Sequence, residues 1–187
     1  MVAPRLKSRP LELICAAMMH NHSKGHHYLI DSVRCLMLKN INVSCTLIGE
    51  GRIRRELEEY STLIGVSDRI RFLGLIPSSS EVQRLISTAD VFVLPSFQEG
   101  LPRSLIEALA SGTICIGSNA GGIPEVLPHS LIFEKGDTES LSTLVEKLAT
   151  CNDFYKKAIV DCMDAFDSFA PASLDRMQKT YVEELCL

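Results

Sequence analysis

Short apolar runs alternate with longer amphipathic runs along the whole chain, and this alternation constrains the fold more than any other feature. The apolar runs predict six strands, at 11–18, 43–49, 69–74, 91–96, 113–117 and 130–133. The amphipathic runs predict helices at 25–39, 52–65, 80–88 and 101–111, a helical turn at 123–127, a helix after Asp137, and two last helices at about 153–166 and 172–186. We therefore expect an α/β fold, a Rossmann-like parallel six-stranded sheet flanked by helices on both faces.

Length and composition indicate one domain with a substantial core. The chain has 187 residues, 46% of them hydrophobic, and a net charge of −4. This mild acidity argues against a nucleic-acid binder or an anionic-membrane binder, both of which need a basic face. Residues 1–10 are basic and contain prolines, so they predict a linker, with the domain at 11–187.

Cellular context is predicted from three further features. No apolar run approaches the ~18 residues that span a membrane, and the first residues do not have the pattern of a signal peptide. The seven cysteines form no Cys-x-x-Cys pair, and most lie in apolar runs. We expect buried, reduced thiols in a cytoplasmic protein.

The segment PSFQEGLPRSLIEALASG, residues 95–112, is the most informative loop. Glu99 lies on the loop and Glu107 on the helix that follows, at the end of the sheet where ligands of such folds bind. Carboxylates accept hydrogen bonds from sugar hydroxyls, and a helix N-terminus attracts phosphate. The combination suits a nucleotide sugar. The spacing alone is also compatible with a turn residue followed by a solvated helix residue.

A succession of motifs resembles a known family. The following motifs occur in this order over nearly the whole chain: KGHHYLIDS, LIGEG, IRFLG, ADVFVLPS, EGLP with IEALASG, AGGIPE and EKGDTESL. Together they resemble the donor-binding C-terminal domain of retaining GT-B glycosyltransferases of family 4, the group 1 type. The resemblance implies transfer of a hexosyl group from a UDP or GDP sugar to an acceptor hydroxyl, with no bound metal or other cofactor. Polysaccharide or glycoconjugate synthesis is the implied setting.

The resemblance assigns roles to residues of this chain. Lys24 would contact the donor diphosphate and Glu99 the transferred sugar, and these two are the implied catalytic residues. The implied donor-binding residues are Lys24, Gly49, Gly51, Leu75, Ile76, Glu99, Gly100, Leu101, Arg103 and Glu107. Gly100, Leu101 and Arg103 would line the sugar and distal phosphate, and Glu107 would bind the ribose.

The remaining four positions would hold the nucleotide. Leu75 and Ile76 would flank the base. Gly49 and Gly51 would let the backbone approach the nucleotide, although a plain tight turn explains two glycines equally well.

Four histidines in HNHSKGHH, residues 20–27, raise the alternative of a metal site. His26 and His27 are adjacent in the first helical turn and point in different directions, so they cannot share one metal with His20 and His22 without a contorted loop. We expect loop and surface histidines, and no metal site.

Two departures from the family pattern are visible. Members commonly carry an arginine about five residues before the lysine, and Met19 occupies that position here. The chain also supplies only one of the two domains of a GT-B enzyme. The N-terminal acceptor-binding domain is the expected partner, peripheral membrane association would depend on that half, and the fragment alone is expected to be inactive.

Other functions stay open at this stage. A catalytically degenerate nucleotide-sugar-binding module is compatible with Met19, and a GT-B epimerase shares the scaffold. A phosphorylase would need a pyridoxal-binding lysine motif that we do not find. A response-regulator module would need acidic residues after the first strand, where this chain has Met-Met-His-Asn.

Overall fold

The structure, a computed structural model, describes residues 9–169. The helix predicted at 172–186 and residues 1–8 of the predicted linker lie outside the described residues. The strands are β1 Leu11–Ala16, β2 Val43–Ile48, β3 Ile70–Gly74, β4 Val91–Leu94, β5 Ile114–Ser118 and β6 Ile132–Phe133. They form one sheet in the order β3-β2-β1-β4-β5-β6, and every neighbouring pair is parallel.

Helices cover both faces of this sheet. They are α1 His26–Leu38, α2 Arg54–Leu63, α3 Ser79–Thr88, α4 Arg103–Ala110, α5 Ile123–Val126, α6 Thr138–Thr150 and α7 Asn152–Phe169. α1 packs against α2 and α6, whereas α4 packs against α3 and α7. Right-handed crossovers place α1 and α2 on one face and α3 and α4 on the other. The predicted Rossmann-like architecture is confirmed.

The core follows from the apolar pattern. All four residues of β4 are buried, as expected for a central strand covered on both faces. On α1, Leu29, Val33 and Leu36 are buried at helical spacing and Met37 is half-buried. Asp137 caps α6, because its carboxylate accepts hydrogen bonds from the backbone N–H groups of Glu139 and Ser140.

The last strand is shorter than predicted. The sequence predicts a strand at 130–133, but β6 has two residues and a 3-10 turn occupies His129–Leu131. The Leu131 N–H donates to the carbonyl of Pro128 instead of joining the sheet. A proline followed by two exposed residues favours this turn.

The start of β1 is fixed to the start of β4 by an ion pair. The Arg9 guanidinium contacts both carboxylate oxygens of Asp90, at 2.6 and 2.8 Å, and the Glu12 N–H donates to the same carboxylate. Asp90 is buried, and these bonds satisfy it. Arg9, the last residue but one of the predicted linker, is therefore attached to the domain.

Candidate functional site

The strand order creates a crevice at the carboxyl end of the sheet. β1 and β4 are neighbours, but the chain leaves β1 toward α1 on one face and leaves β4 toward α4 on the other. Loops that diverge in this way leave an opening between them, where ligands of doubly wound folds bind. Lys24 and Glu99 lie on these two loops.

The loop after β1 ends in a 3-10 turn, His22–Lys24. The Asn21 side chain begins this turn by accepting a hydrogen bond from the Ser23 N–H, at 2.9 Å. On the other loop, the Phe97 N–H donates to the Ser23 carbonyl oxygen, at 2.7 Å. The two loops are thus joined one residue before Lys24 and two residues before Glu99.

Lys24 and Glu99 meet in the crevice. The Lys24 ammonium lies 2.7 Å from Oε1 of Glu99, and the two side chains are 30% and 11% exposed. This contact shows that the two loops converge at one edge of the sheet. Because both side chains are partly shielded from water, this charge-assisted hydrogen bond holds the ammonium and the carboxylate in a defined orientation.

Ser96 also holds Glu99, and sequence reasoning did not identify it. Its hydroxyl donates to Oε1 of Glu99 at 2.6 Å, and the residue is fully buried. The Ser118 hydroxyl on β5 donates in turn to the Ser96 carbonyl oxygen. A serine three residues before Glu99 is unremarkable in sequence, so only the folded loop reveals the contact.

A second wall is formed by the loop after β5. The Gly122 N–H donates to the Glu99 carbonyl oxygen at 3.4 Å. A cavity of about 400 Å³ lies here, lined among others by Glu99, Gly100, Leu101, Gly121 and Glu125. Glu125 is a further carboxylate at this cavity that the sequence analysis missed.

The start of α4 carries the predicted groups in exposed positions. Leu101, Arg103 and Glu107 are all exposed, and α4 begins at Arg103 after Pro102. Among residues 9–169, the structure gives Arg103 no ion-pair partner and Glu107 no side-chain hydrogen bond. Both are available to a ligand, and contact of either with a donor stays a prediction.

Gly49 and Gly51 have a reason to be glycine within the protein itself. A Cβ at Gly49 would collide with the carbonyl oxygen of Ala17, and one at Gly51 with the backbone of Met19. The two glycines let the loops after β1 and β2 pack against each other. Their contact with a nucleotide remains a prediction.

Leu75 and Ile76 follow the edge strand β3. Leu75 is 62% exposed, and Ile76 is half-buried against the core. An exposed leucine beside a half-buried isoleucine provides an apolar surface at this end of the sheet, and its contact with a base stays a prediction.

Position 19 lies in the core. The Met19 side chain is fully buried, its N–H donates to the Glu50 carbonyl, and its carbonyl accepts from the Ile53 N–H. Neither Met19 nor its backbone can replace the cation that the family pattern has there. Among its neighbours, His20 is exposed.

The expectation that the histidines are loop and surface residues was wrong for His26. This residue is fully buried, because the first turn of α1 directs it under the loop after β1, where Nε2 lies 3.3 Å from the Ala17 carbonyl oxygen. Burial lowers the His26 pKa from 6.5 to about 4, partly offset by that contact. His26 is therefore neutral at neutral pH.

The described residues contain neither a metal-ligand cluster nor a membrane-spanning helix. Within residues 9–169, no group of three or more His, Cys, Asp or Glu side chains is placed to hold a metal ion. In the same part of the chain, every helix is too short or too polar to cross a bilayer.

Comparison with known proteins gives consistent results. The family of glycosyl transferases group 1 matches residues 10–151. The amylovoran biosynthesis glycosyltransferase AmsK of Erwinia amylovora is 28% identical over 150 residues, which cover 75% of this chain and 36% of AmsK. The chain spans about a third of the length of the curated relatives it matches.

Two solved structures share the fold. The C-terminal domain of LpcC, a glycosyl transferase group 1 family protein of Francisella tularensis, aligns with a TM-score of 0.76 at 22% identity, covering 87% of this chain and 88% of that domain. HepE of Anabaena, solved with UDP and glucose, aligns with a TM-score of 0.80 at 18% identity, covering 94% of this chain and 49% of HepE. The fold, the convergence of Lys24 and Glu99, and the match over 10–151 agree: this chain belongs to the family of glycosyl transferases group 1.

Proposed function

We propose that this chain is the donor-binding domain of a retaining glycosyltransferase that transfers a hexosyl group from a nucleoside-diphosphate sugar to an acceptor hydroxyl. The observation that carries the proposal is the 2.7 Å contact between Lys24 and Glu99 at the point where the strand order reverses. It brings a cation and a carboxylate together where a sugar diphosphate needs both.

Lys24 acts on the leaving group. Negative charge grows on the phosphate oxygen as its bond to the sugar breaks, and a fixed ammonium lowers the energy of that state. Arg103, exposed at the start of α4, adds a second cation from the other side of the crevice. The positive end of the α4 dipole supports the same charge, although the N–H groups of Arg103 and Leu105 already donate to the carbonyl oxygens of Leu101 and Pro102.

Glu99 positions the sugar. Its carboxylate is held by Lys24 and Ser96 at Oε1. The second oxygen has no hydrogen-bond donor among residues 9–169, so it is free to accept from a sugar hydroxyl. Gly100 and Leu101 continue this wall along the cavity lined with Glu125.

The nucleotide occupies the other end of the donor site. Leu75 and Ile76 flank the base. The backbone of Gly49 and Gly51 approaches the nucleotide closely. The Glu107 carboxylate accepts hydrogen bonds from the ribose hydroxyls. Support comes from HepE, which shares the fold and was solved with UDP and glucose. The donor of this chain is a UDP or GDP sugar, used without a metal or other cofactor.

The rest of the enzyme lies outside this chain. An N-terminal acceptor-binding domain completes the active site, and polysaccharide or glycoconjugate synthesis in the cytoplasm is the setting. The relationship to AmsK, whose name describes amylovoran biosynthesis, supports that setting.

One observation favours a second candidate. Met19 is buried where the family pattern has an arginine, so the diphosphate loses one cation. One missing charge-assisted contact costs ~1.5–3 kcal/mol. A module that binds nucleotide sugar without turnover is the alternative that this loss favours.

Calorimetric titration tests the donor site on the 187-residue chain. UDP, GDP and their glucose conjugates are titrated into the chain, its Lys24→Met variant and, as a surface control, Lys39→Met. Lys39 pairs with Glu146 away from the crevice. Binding that weakens at least tenfold in Lys24→Met alone supports the proposal, and equal affinities in all three proteins contradict it.

Turnover distinguishes the enzyme from the binding module. Consumption of the sugar nucleotide is compared between the 187-residue chain and a longer chain that includes an acceptor-binding half. We expect turnover only in the longer chain. Robust turnover by the 187-residue chain would refute the need for a second domain, and binding without turnover in the longer chain would favour the module.

A further inference from the structure

A cavity outside the proposed donor site lies between the beginning of α1, the middle of α2 and the loop after β4. Its volume is about 620 Å³, within the range of small-molecule sites. The side chains that characterise it are His22, His27, Tyr28, Glu56, Tyr60 and Phe97. We name it the α1–α2 cavity.

Aromatic rings follow one another along its wall. The ring centres of His22 and His27 are 5.4 Å apart, those of His27 and Tyr28 are 4.0 Å apart, and those of Tyr28 and Phe97 are 5.2 Å apart. Ring faces carry a negative partial charge and attract the weakly positive C–H groups of a flat ligand. Pyranose rings present such C–H groups on their apolar faces.

Hydrogen-bonding groups border the rings. Glu56 is exposed, and its carboxylate lies 3.6 Å from Nε2 of His22. The Tyr60 hydroxyl donates to the Asp31 carboxylate at 2.6 Å, so its oxygen can still accept a hydrogen bond. His27 Nδ1 is buried and has no partner in the described part of the chain. Apolar ring faces with hydroxyl-binding groups at their edges match the two-sided chemistry of a sugar.

The charge of the cavity selects against anions. Glu56 lines it, Asp31 lies behind Tyr60, and no lysine or arginine is among its lining residues. Burial lowers the pKa of His27, so this ring contributes no positive charge at neutral pH. A phosphorylated or acidic ligand would meet the Glu56 carboxylate with no cation of Lys or Arg among the described lining residues, whereas a neutral ligand is not repelled.

The position of the cavity relates it to the reaction. Ser23 and Phe97 line it, and these residues are joined by the hydrogen bond that precedes Lys24 and Glu99 in the two loops. α4, which carries Glu107, lies on the opposite face of the sheet from α1 and α2. The cavity therefore borders the Lys24–Glu99 pair on the face of the sheet away from α4.

We propose that the α1–α2 cavity binds a neutral saccharide, the sugar portion of the acceptor that lies next to the reacting hydroxyl. The proposal rests on the proposed function for the identity of the acceptor, but the saccharide site can be measured separately. It assigns part of acceptor recognition to this domain and a neutral carbohydrate to that part.

Saturation-transfer NMR on the 187-residue chain tests the site, with cellobiose, maltose and lactose as neutral probes and glucuronic acid as the acidic one. Saturating the aromatic protons of the protein should transfer magnetisation to the C–H protons of at least one neutral disaccharide. The same signal should be absent for glucuronic acid. No transfer to any neutral probe, or equal transfer to glucuronic acid, would overturn the proposal.

Matched variants locate the signal. Tyr28→Leu removes a ring while retaining an apolar side chain, and Glu56→Gln removes a bordering charge. Glu59→Gln is the control, since Glu59 lies on the same helix and pairs with Arg55 on the surface. We expect the neutral-probe signal to fall at least threefold in Tyr28→Leu and to stay unchanged in Glu59→Gln. An unchanged signal in folded Tyr28→Leu places the saccharide elsewhere and overturns the assignment.

The two proposals fail in different ways. UDP or GDP binding by the same samples, measured by calorimetry, depends on Lys24 and not on Tyr28. Saccharide binding without nucleotide binding removes the donor function and leaves the cavity as a saccharide site. Nucleotide binding without saccharide transfer removes only the cavity proposal.

Discussion

The Lys24–Glu99 pair and the outer part of the proposed donor site differ in how firmly the protein holds them. Glu99 is 11% exposed and bonded to both Lys24 and Ser96. Glu107 and Leu75 are exposed, and the Glu107 carboxylate has no hydrogen-bond partner among residues 9–169. Groups that act on developing charge gain from being fixed in advance, because no reorganisation is then needed during reaction. Groups that only bind can be exposed and mobile.

The largest expected effect is at Lys24. In an enzyme that joins this chain to an acceptor-binding domain, Lys24→Met should lower kcat by about a hundredfold to a thousandfold, because the leaving phosphate loses its fixed cation. Steady-state kinetics at saturating donor measures this. Lys39→Met, which removes a surface ammonium, should leave kcat unchanged. A loss of less than threefold in Lys24→Met would remove the distinction between the fixed pair and the outer site.

His26 tests how much the burial of an uncharged imidazole stabilises the region around the Lys24–Glu99 pair. The folded protein binds a proton at His26 only near pH 4, whereas the unfolded chain binds one near 6.5. Stability contributed by the neutral ring is therefore present above pH 6.5 and is lost as pH falls toward 4, by roughly 3 kcal/mol. Urea unfolding of wild type and His26→Gln across this range measures the difference. Parallel stability curves for the two proteins would contradict it.

The two glutamates provide the direct comparison. In the joined enzyme, Glu99→Ala should lower kcat at least about tenfold, whereas Glu107→Ala should mainly raise the KM for the donor. The reason is that Glu99 is held beside Lys24, and Glu107 is free on the surface of α4. Equal, near-wild-type kinetics for both variants would overturn the assignments.

The smallest expected effect is at Ser96. Ser96→Ala removes one hydrogen bond to Glu99 and should lower the free energy of unfolding by about 1 kcal/mol. Chemical denaturation measures this, with Ser87→Ala on the exposed surface of α3 as a control expected near zero. If Ser96→Ala behaved like Ser87→Ala, Lys24 alone would account for the orientation of Glu99.

Much of the fold could be predicted from periodicity. Apolar runs such as VFVLPS and stripes such as Leu29, Val33 and Leu36 report burial directly, because burial on a strand or helix repeats at a fixed spacing. The end of the sheet was harder. At 130–133 the turn after Pro128 competes with a short apolar run, and local turn chemistry determines the outcome.

The candidate site was predicted only in part. Lys24 and Glu99 each follow a central strand, so topology brings them to one edge. The contact of Ser96 with Glu99 depends on the path of the folded loop, His26 is buried under the loop after β1, and the α1–α2 cavity is formed by segments far apart in sequence. No spacing rule within one segment records such contacts, and only the folded chain shows them.

The hydrogen bond from Phe97 to Ser23 has a mechanical consequence. It ties the turn that carries Lys24 to the loop that carries Glu99, so neither can swing outward by itself without breaking a backbone bond. A bound molecule therefore meets two loops that move together, so this edge of the sheet responds to it as one rigid unit.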